Sequence, residues 1–184
     1  DTLPGLQFRY SGGGFCILQQ LIEDITSKPF WQAAQERVLE PAGMAESTYQ
    51  LLMPEAQRVA IAVGHRSDGQ PLQGGWHTYP ESAAAGLWTT AVDLAKLIVE
   101  ISAALQGKRE RIISQAMMKE MFSPQVRVRG IGLTGWEGLS LFLTGEKNDW
   151  YYGHGGSNEG YRSQMIVRKG TGQAAVIMTN SDQG

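Results

Sequence analysis

Hydrophobic positions recur at intervals of three and four through the first part of the chain and shift towards alternation in the last third. Phe15, Leu18, Leu21, Ile22 and Ile25 fall on one helical face, with Gln19, Gln20, Glu23 and Asp24 opposite. Residues 26–29 end that helix, and Pro29 in a first-turn position starts a second one carrying Phe30, Trp31, Ala34 and Val38. Pro41 and Gly43 punctuate its end. The short β-branched run at 59–64 predicts a strand. Residues 64–88 hold Gly69, Pro71, Gly74, Gly75, Pro80 and Gly86 and predict a long loop, and loops of that length in a compact domain are usually functional. Its Trp76, His77 and Tyr79 favour a packed rim or lid. Thr90-Ala91-Val92-Asp93 is a capping box with Asp in place of the commoner Glu. The helix behind it buries Leu94, Leu97, Ile98, Ile101 and Leu105 and stops near Gly107. Ser114 caps a further helix with Met117, Met118, Met121 and Phe122, ended by Pro124; its methionines read as core filler.

From Gly130 the pattern becomes strand-like. Runs at 131–133, 139–143, 150–152, 161–168 and 173–179 are separated by short Gly, Asn and Asp turns, which favour antiparallel neighbours. The chain thus predicts an α+β fold with helices packed on an antiparallel sheet. It reads as one domain over 1–184, mainly helical over 1–129 and stranded over 130–184.

Composition narrows the function classes. A hydrophobic content of 42% with 18% charged residues fits a folded globular protein. A net charge of −2, and no basic cluster beyond Lys108-Arg109-Glu110-Arg111, gives no electrostatic case for nucleic acid or anionic membrane. No apolar run approaches the roughly 18 residues that a membrane span needs. The single cysteine, Cys16, cannot form an internal disulfide, and its apolar neighbours predict a buried packing thiol. The first residue is Asp1, so the chain is expected to be a piece of something longer.

Candidate chemistry concentrates at Tyr151-Tyr152-Gly153-His154-Gly155-Gly156-Ser157-Asn158-Glu159-Gly160-Tyr161. A histidine among glycines can carry protons near neutrality in a place that backbone or ligand can approach closely. The same residues also suit a hairpin whose histidine merely satisfies a carbonyl. His65, His77 and His154 have no HxH, HxxxH or CxxC spacing, so no metal site is predicted. Gly155 to Gly160 is neither a phosphate-binding loop nor a dinucleotide turn, and Glu159 stands where a nucleophile elbow needs its second Gly. A Ser-His-Asp arrangement using Ser11 or Ser157 with His154 stays open.

A wider pattern exists. Tyr10-Ser11-Gly12 opening the first helix, Lys28-Pro29-Phe30, Leu39-Glu40-Pro41-Ala42-Gly43-Met44, Ala85-Gly86-Leu87-Trp88-Thr89-Thr90 with Asp93-Leu94-Ala95, and His154-Gly155-Gly156 occur in that order. Together they resemble the C-terminal half of serine β-lactamase-like hydrolases, a superfamily of class C β-lactamases, DD-peptidases and β-lactamase-fold esterases. The resemblance implies a partial β-lactamase/transpeptidase-like fold and cofactor-free acyl-enzyme chemistry on an ester, amide or peptide. It assigns Tyr10 to the tyrosine motif, His154, Gly155 and Gly156 to the motif on the far wall, and the Ser157 N–H to the oxyanion. Gly156 and Asn158 would touch substrate, with Glu159 and Trp76 at the rim.

Three departures shape the reading. Gly12 stands where the tyrosine motif often has Asn, and His154 replaces Lys; both point away from a true β-lactamase. None of the 12 serines has a lysine three residues on, so the S-x-x-K nucleophile is missing and is expected upstream of Asp1. The chain alone should then be inert towards acyl substrates, and a sheet edge left open could self-associate. The alternative is a non-catalytic module that uses the same cleft to hold a peptide or glycan. Compartment stays open: periplasmic, secreted and cytoplasmic placements all fit.

Overall fold

The computed structural model describes all residues except 1, 2, 4, 54, 129–134 and 147–148. The expected strand at 131–133 lies outside the described residues. Helices come first: α1 Gly12–Thr26, α2 Phe30–Ala34, α3 Glu40–Ala42, α4 Glu55–Arg58, α5 Ser82–Ala85, α6 Ala91–Leu105 and α7 Gln115–Met121. A π-helical turn, Gln35–Leu39, joins α2 to α3. Six strands follow: β1 Val126–Val128, β2 Gly135–Glu137, β3 Phe142–Glu146, β4 Asp149–Asn158, β5 Tyr161–Arg168 and β6 Ala174–Thr179. They form one antiparallel sheet in sequence order, so the α+β layout is as the pattern predicts.

Register explains where the core sits. Leu143 of β3 pairs with Tyr152 of β4, and Tyr152 pairs with Val167 of β5, so the three share one face. That row is buried against Ile98 and Ala104 of α6, Met118 of α7 and Phe122. The Phe122 and Tyr152 rings meet edge to face at 4.4 Å. A second cluster, Leu39, Ala42 and Met44, packs with Leu94 and Leu97 of α6. α6 is therefore the shared spine of both cores.

Four expectations fail. The run at 139–143 is a strand only from Phe142 onward: Leu139 N donates to Met121 O and Gly138 N to Leu141 O, which closes the turn between β2 and β3, and β2 itself was not expected. The run at 59–64 is no strand: Val59 is 87% exposed. Its end is tied to its own loop, Gly64 N to Gly75 O and Leu72 N to Gly64 O, and the chain bridges to Ser181, beyond β6, at His65 just past the run. Cys16 is exposed rather than buried. The reason is that the apolar face of α1 has no packing partner among the described residues; Ile17 and Ile25 are each 73% exposed. α1 instead meets its neighbours through residues expected to face water. Gln19 Oε1 accepts from Ala83 N, and Glu23 Oε1 accepts from Phe30 N.

The glycine-rich stretch, expected as a turn, is the second half of β4. A Cβ on Gly153 would lie 2.2 Å from Met165 O on β5, so only glycine fits there.

On β2, Glu137 has a buried Oε2 without a hydrogen-bond partner among the described residues, and burial pushes its carboxyl up to about 7. A carboxyl raised above its ordinary 4.5 leaves the fold unpenalised below that value and destabilises it as pH rises through 7. Glu137→Gln should therefore be more stable than the parent at pH 8, by roughly 1 kcal/mol after solvent screening, with no gain at pH 4. Thermal melts at the two pH values check this.

Candidate active site

β4 is paired on both sides only as far as Gly153. β3 ends its pairing at Phe142 opposite Gly153, whereas β5 continues to pair through Asn158. From His154 to Asn158 the strand therefore presents one open edge. Antiparallel pairs alternate between mutually bonded and non-bonded positions. The bond from Lys169 N to Trp150 O fixes the phase, so Tyr152, His154, Gly156 and Asn158 bond to β5. The N–H and C=O of Gly155 and Ser157 then point to the open edge. Ser157 is exposed.

Tyr10 arrives at that edge from the other end of the chain. Ser11, in extended conformation, caps α1 by accepting from Gly14 N at 3.1 Å. The cap fixes Tyr10 just outside the helix, with its ring centroid 6.2 Å from that of His154 and the planes 31° apart. Tyr10 remains 59% exposed, and its hydroxyl has no hydrogen bond among the described residues. Phe142 stacks on His154 at 5.4 Å, and Phe8 meets Phe142 edge-on at 5.9 Å. The sequence reading missed Phe8 and Phe142. Phe8 carried a signal, since period-2 spacing places it on the same side of an extended segment as Tyr10.

The His154 Nδ1 lies 2.5 Å from Gly155 O. A carbonyl only accepts, so Nδ1 carries the proton, and in that tautomer Nε2 is the lone-pair acceptor. Such a ring can take up a proton at Nε2 without breaking its orienting bond. Among the described residues no carboxylate pairs with His154. Ser11 is engaged as a helix cap, so a Ser-His-acid set is not assembled here.

The remaining sequence-predicted residues divide. Gly156 lies on the same strand, where a Cβ would come 2.4 Å from Ser163 Oγ. Asn158 is not free to solvent: its Nδ2 donates to Ala85 O at 2.9 Å, at the end of α5. Trp76 packs edge-on against Trp88 at 6.3 Å, and Trp88 against Tyr161 at 5.8 Å, so it serves the packing of the long loop. Among the described residues no three His, Cys, Asp or Glu side chains gather as a metal site, and no helix is long and apolar enough to cross a membrane.

A family model described as Beta-lactamase matches residues 1–184. Penicillin-binding protein 4 of Amycolatopsis lactamdurans is 28% identical over 195 residues, covering 98% of this chain and 49% of its own length. The chain thus spans about half of that relative. Among solved structures, the octameric penicillin-binding protein homologue of Pyrococcus abyssi superposes with a TM-score of 0.83 at 21% identity, over all of this chain and 41% of that one. The D-amino acid amidase of Ochrobactrum anthropi, solved with L-phenylalanine amide, gives 0.72 at 24% identity over 95% and 50%. These two likenesses concern the fold.

Proposed function

Since this chain belongs to the β-lactamase family of hydrolases, we propose that it supplies two walls of an acyl-transfer site in a serine hydrolase that cleaves an ester, amide or peptide. The observation that carries this reading is the meeting of Tyr10 and His154 at the open edge of β4, beside the outward-facing Ser157 N–H.

The chemistry asks for three things there. A serine hydroxyl, from an S-x-x-K segment outside this chain, attacks the carbonyl carbon, and its proton must pass to a group within hydrogen-bond reach. The Tyr10 oxygen, beside His154 at the open edge, takes that role. Charge builds on the former carbonyl oxygen, and the Ser157 N–H donates to it from a backbone that needs no rearrangement. The leaving group then needs a proton, which the Tyr10 hydroxyl so formed returns, directly or by way of the His154 Nε2 that takes it up from Tyr10. Gly156 lets β5 close up through Ser163 behind that edge, and Asn158 shapes its end through Ala85.

Intact-mass labelling with a fluorophosphonate and with a penicillin tests this. The chain should be run beside a longer one that includes the region preceding Asp1. Mass gain in the longer chain alone is the expected result. Labelling of this chain alone would place the nucleophile at one of its own serines and overturn the assignment. No labelling of either would favour the binding module, for which the lack of any S-x-x-K here is the specific support.

A further inference from the structure

The tip of the β4–β5 hairpin is held far more heavily than a two-residue turn requires. Glu159 pairs with Arg66 through Nη1, and its Oε2 lies 2.9 Å from His77 Nε2, close but without the geometry of a hydrogen bond. Its backbone N–H donates to the Tyr79 hydroxyl at 3.3 Å. Gly160 N donates to Asp182 Oδ1 at 2.7 Å, and Arg162 Nη1 donates to the carbonyls of Asn158 and Tyr161, both at 2.7 Å. Gly160, at φ +80°, lies so close to the loop that a Cβ would sit 3.0 Å from the Gly64 Cα. The tethers come from the long loop (Arg66, His77, Tyr79) and from the C-terminal turn (Asp182), and none comes from β3.

Position explains why such tethers matter. Residues 154–158 have a neighbour on one side only, so the direction of the Ser157 N–H is set by β5 and by the tip two residues away. A donor serves a developing oxyanion only while it stays aimed, and an error near 1 Å is costly. We propose that Glu159 is a positioning residue: held by Arg66, with His77 packed alongside and its own N–H on Tyr79, it locks the open edge of β4 so that the Ser157 N–H stays in place. The 64–88 loop is then a frame for the site. The role of the Ser157 N–H in this inference rests on the acyl-transfer reading, but the lock itself does not.

The test compares the parent, Glu159→Ala and Glu159→Gln in the longer chain that contains the nucleophile. Gln keeps one acceptor oxygen, for Arg66 Nη1, and turns its NH2 towards His77 Nε2; Ala keeps neither. Amide exchange should rise about tenfold at Gly156 and Asn158 in Glu159→Ala, be restored by Gln, and stay unchanged at Val167. Acylation kcat should fall about tenfold with KM within about threefold. Unchanged exchange in Glu159→Ala would overturn the lock, leaving Glu159 as a solvated ion pair. Faster exchange with unchanged kcat would keep the lock and overturn its service to the oxyanion donor. A parent that is never acylated would sink the acyl-transfer reading, while exchange still decides on the lock.

Discussion

Tyr10→Phe should slow acylation by about 10²- to 10⁴-fold in the chain that includes the nucleophile, the range expected when a proton acceptor is removed from the reacting centre. The substitution is informative because it separates two roles. If Tyr10 only staples the entrance of α1 to the sheet, its ring does the work, and Phe keeps that ring beside His154. The hydroxyl has no hydrogen bond among the described residues, so its loss leaves no buried partner unsatisfied. Stability should therefore change by less than about 0.5 kcal/mol, as for a surface substitution. KM should move little, because the proton is transferred in the transition state and not on binding. Stopped-flow acylation by a chromogenic ester or penicillin, read with a thermal melt, checks both. A melt that falls while acylation holds would return Tyr10 to a packing role.

Strands β5 and β6 and the long helices were legible because their periodicity is produced by the faces they bury, whereas the three-residue β1 and β2 are too short to show one. Tyr161–Arg168 matches its predicted bounds, and α6 buries Ile98 as its spacing required. The open edge of β4 was not legible as a strand. Glycines at 153, 155 and 156 imitate a turn in composition, and the cause of Gly153, the Met165 carbonyl 2.2 Å from a would-be Cβ, belongs to the neighbouring strand. The failure at α1 is of another kind. Its pattern correctly describes an amphipathic helix, but Ile17, Leu18, Leu21 and Ile25 remain exposed for want of a partner among the described residues. Motif order brought Tyr10 and His154 into the same hypothesis; only the fold could supply the Phe142 stack and the tethers on Glu159.

Asp93→Ala should cost about 2–4 kcal/mol, the penalty for removing a buried carboxylate that several donors share while its half-exposed partner Lys96 returns to water. The sequence reads Asp93 as half of a capping box, and half is what forms: Thr90 Oγ1 accepts from Asp93 N at 3.1 Å. The carboxylate does not reach back to Thr90 N. It is 1% exposed and turns instead to the segment after α3, accepting from Glu46 N and Ser47 Oγ at 2.8 Å each and from Lys96 Nζ at 2.7 Å. Lys96 also donates to Gly43 O, so one acid and one base pin that segment to the first turn of α6. Alanine would leave the part-buried Glu46 N–H without its acceptor and the Ser47 hydroxyl with Thr89 Oγ1 alone, and a chain of this size should lose about 10 °C in Tm. Asp93→Asn, keeping the shape and one acceptor, should lose about half as much. The cost should also depend on pH. Burial alone would raise the Asp93 carboxyl, but the hydrogen bonds from Lys96, Ser47 and Glu46 N outweigh it and hold it below its ordinary 3.8. The stabilisation is therefore fully present above that value and disappears as pH falls through the folded-state value, so the parent and Asp93→Ala should converge in strong acid. Denaturant melts at pH 7 and pH 3 decide this. Because Asp93 supports α6 and touches none of the cleft groups, the activity of whatever fraction stays folded should equal the parent's. That outcome is the opposite of Tyr10→Phe, and the pair together distinguish what holds this fold from what acts at its open edge.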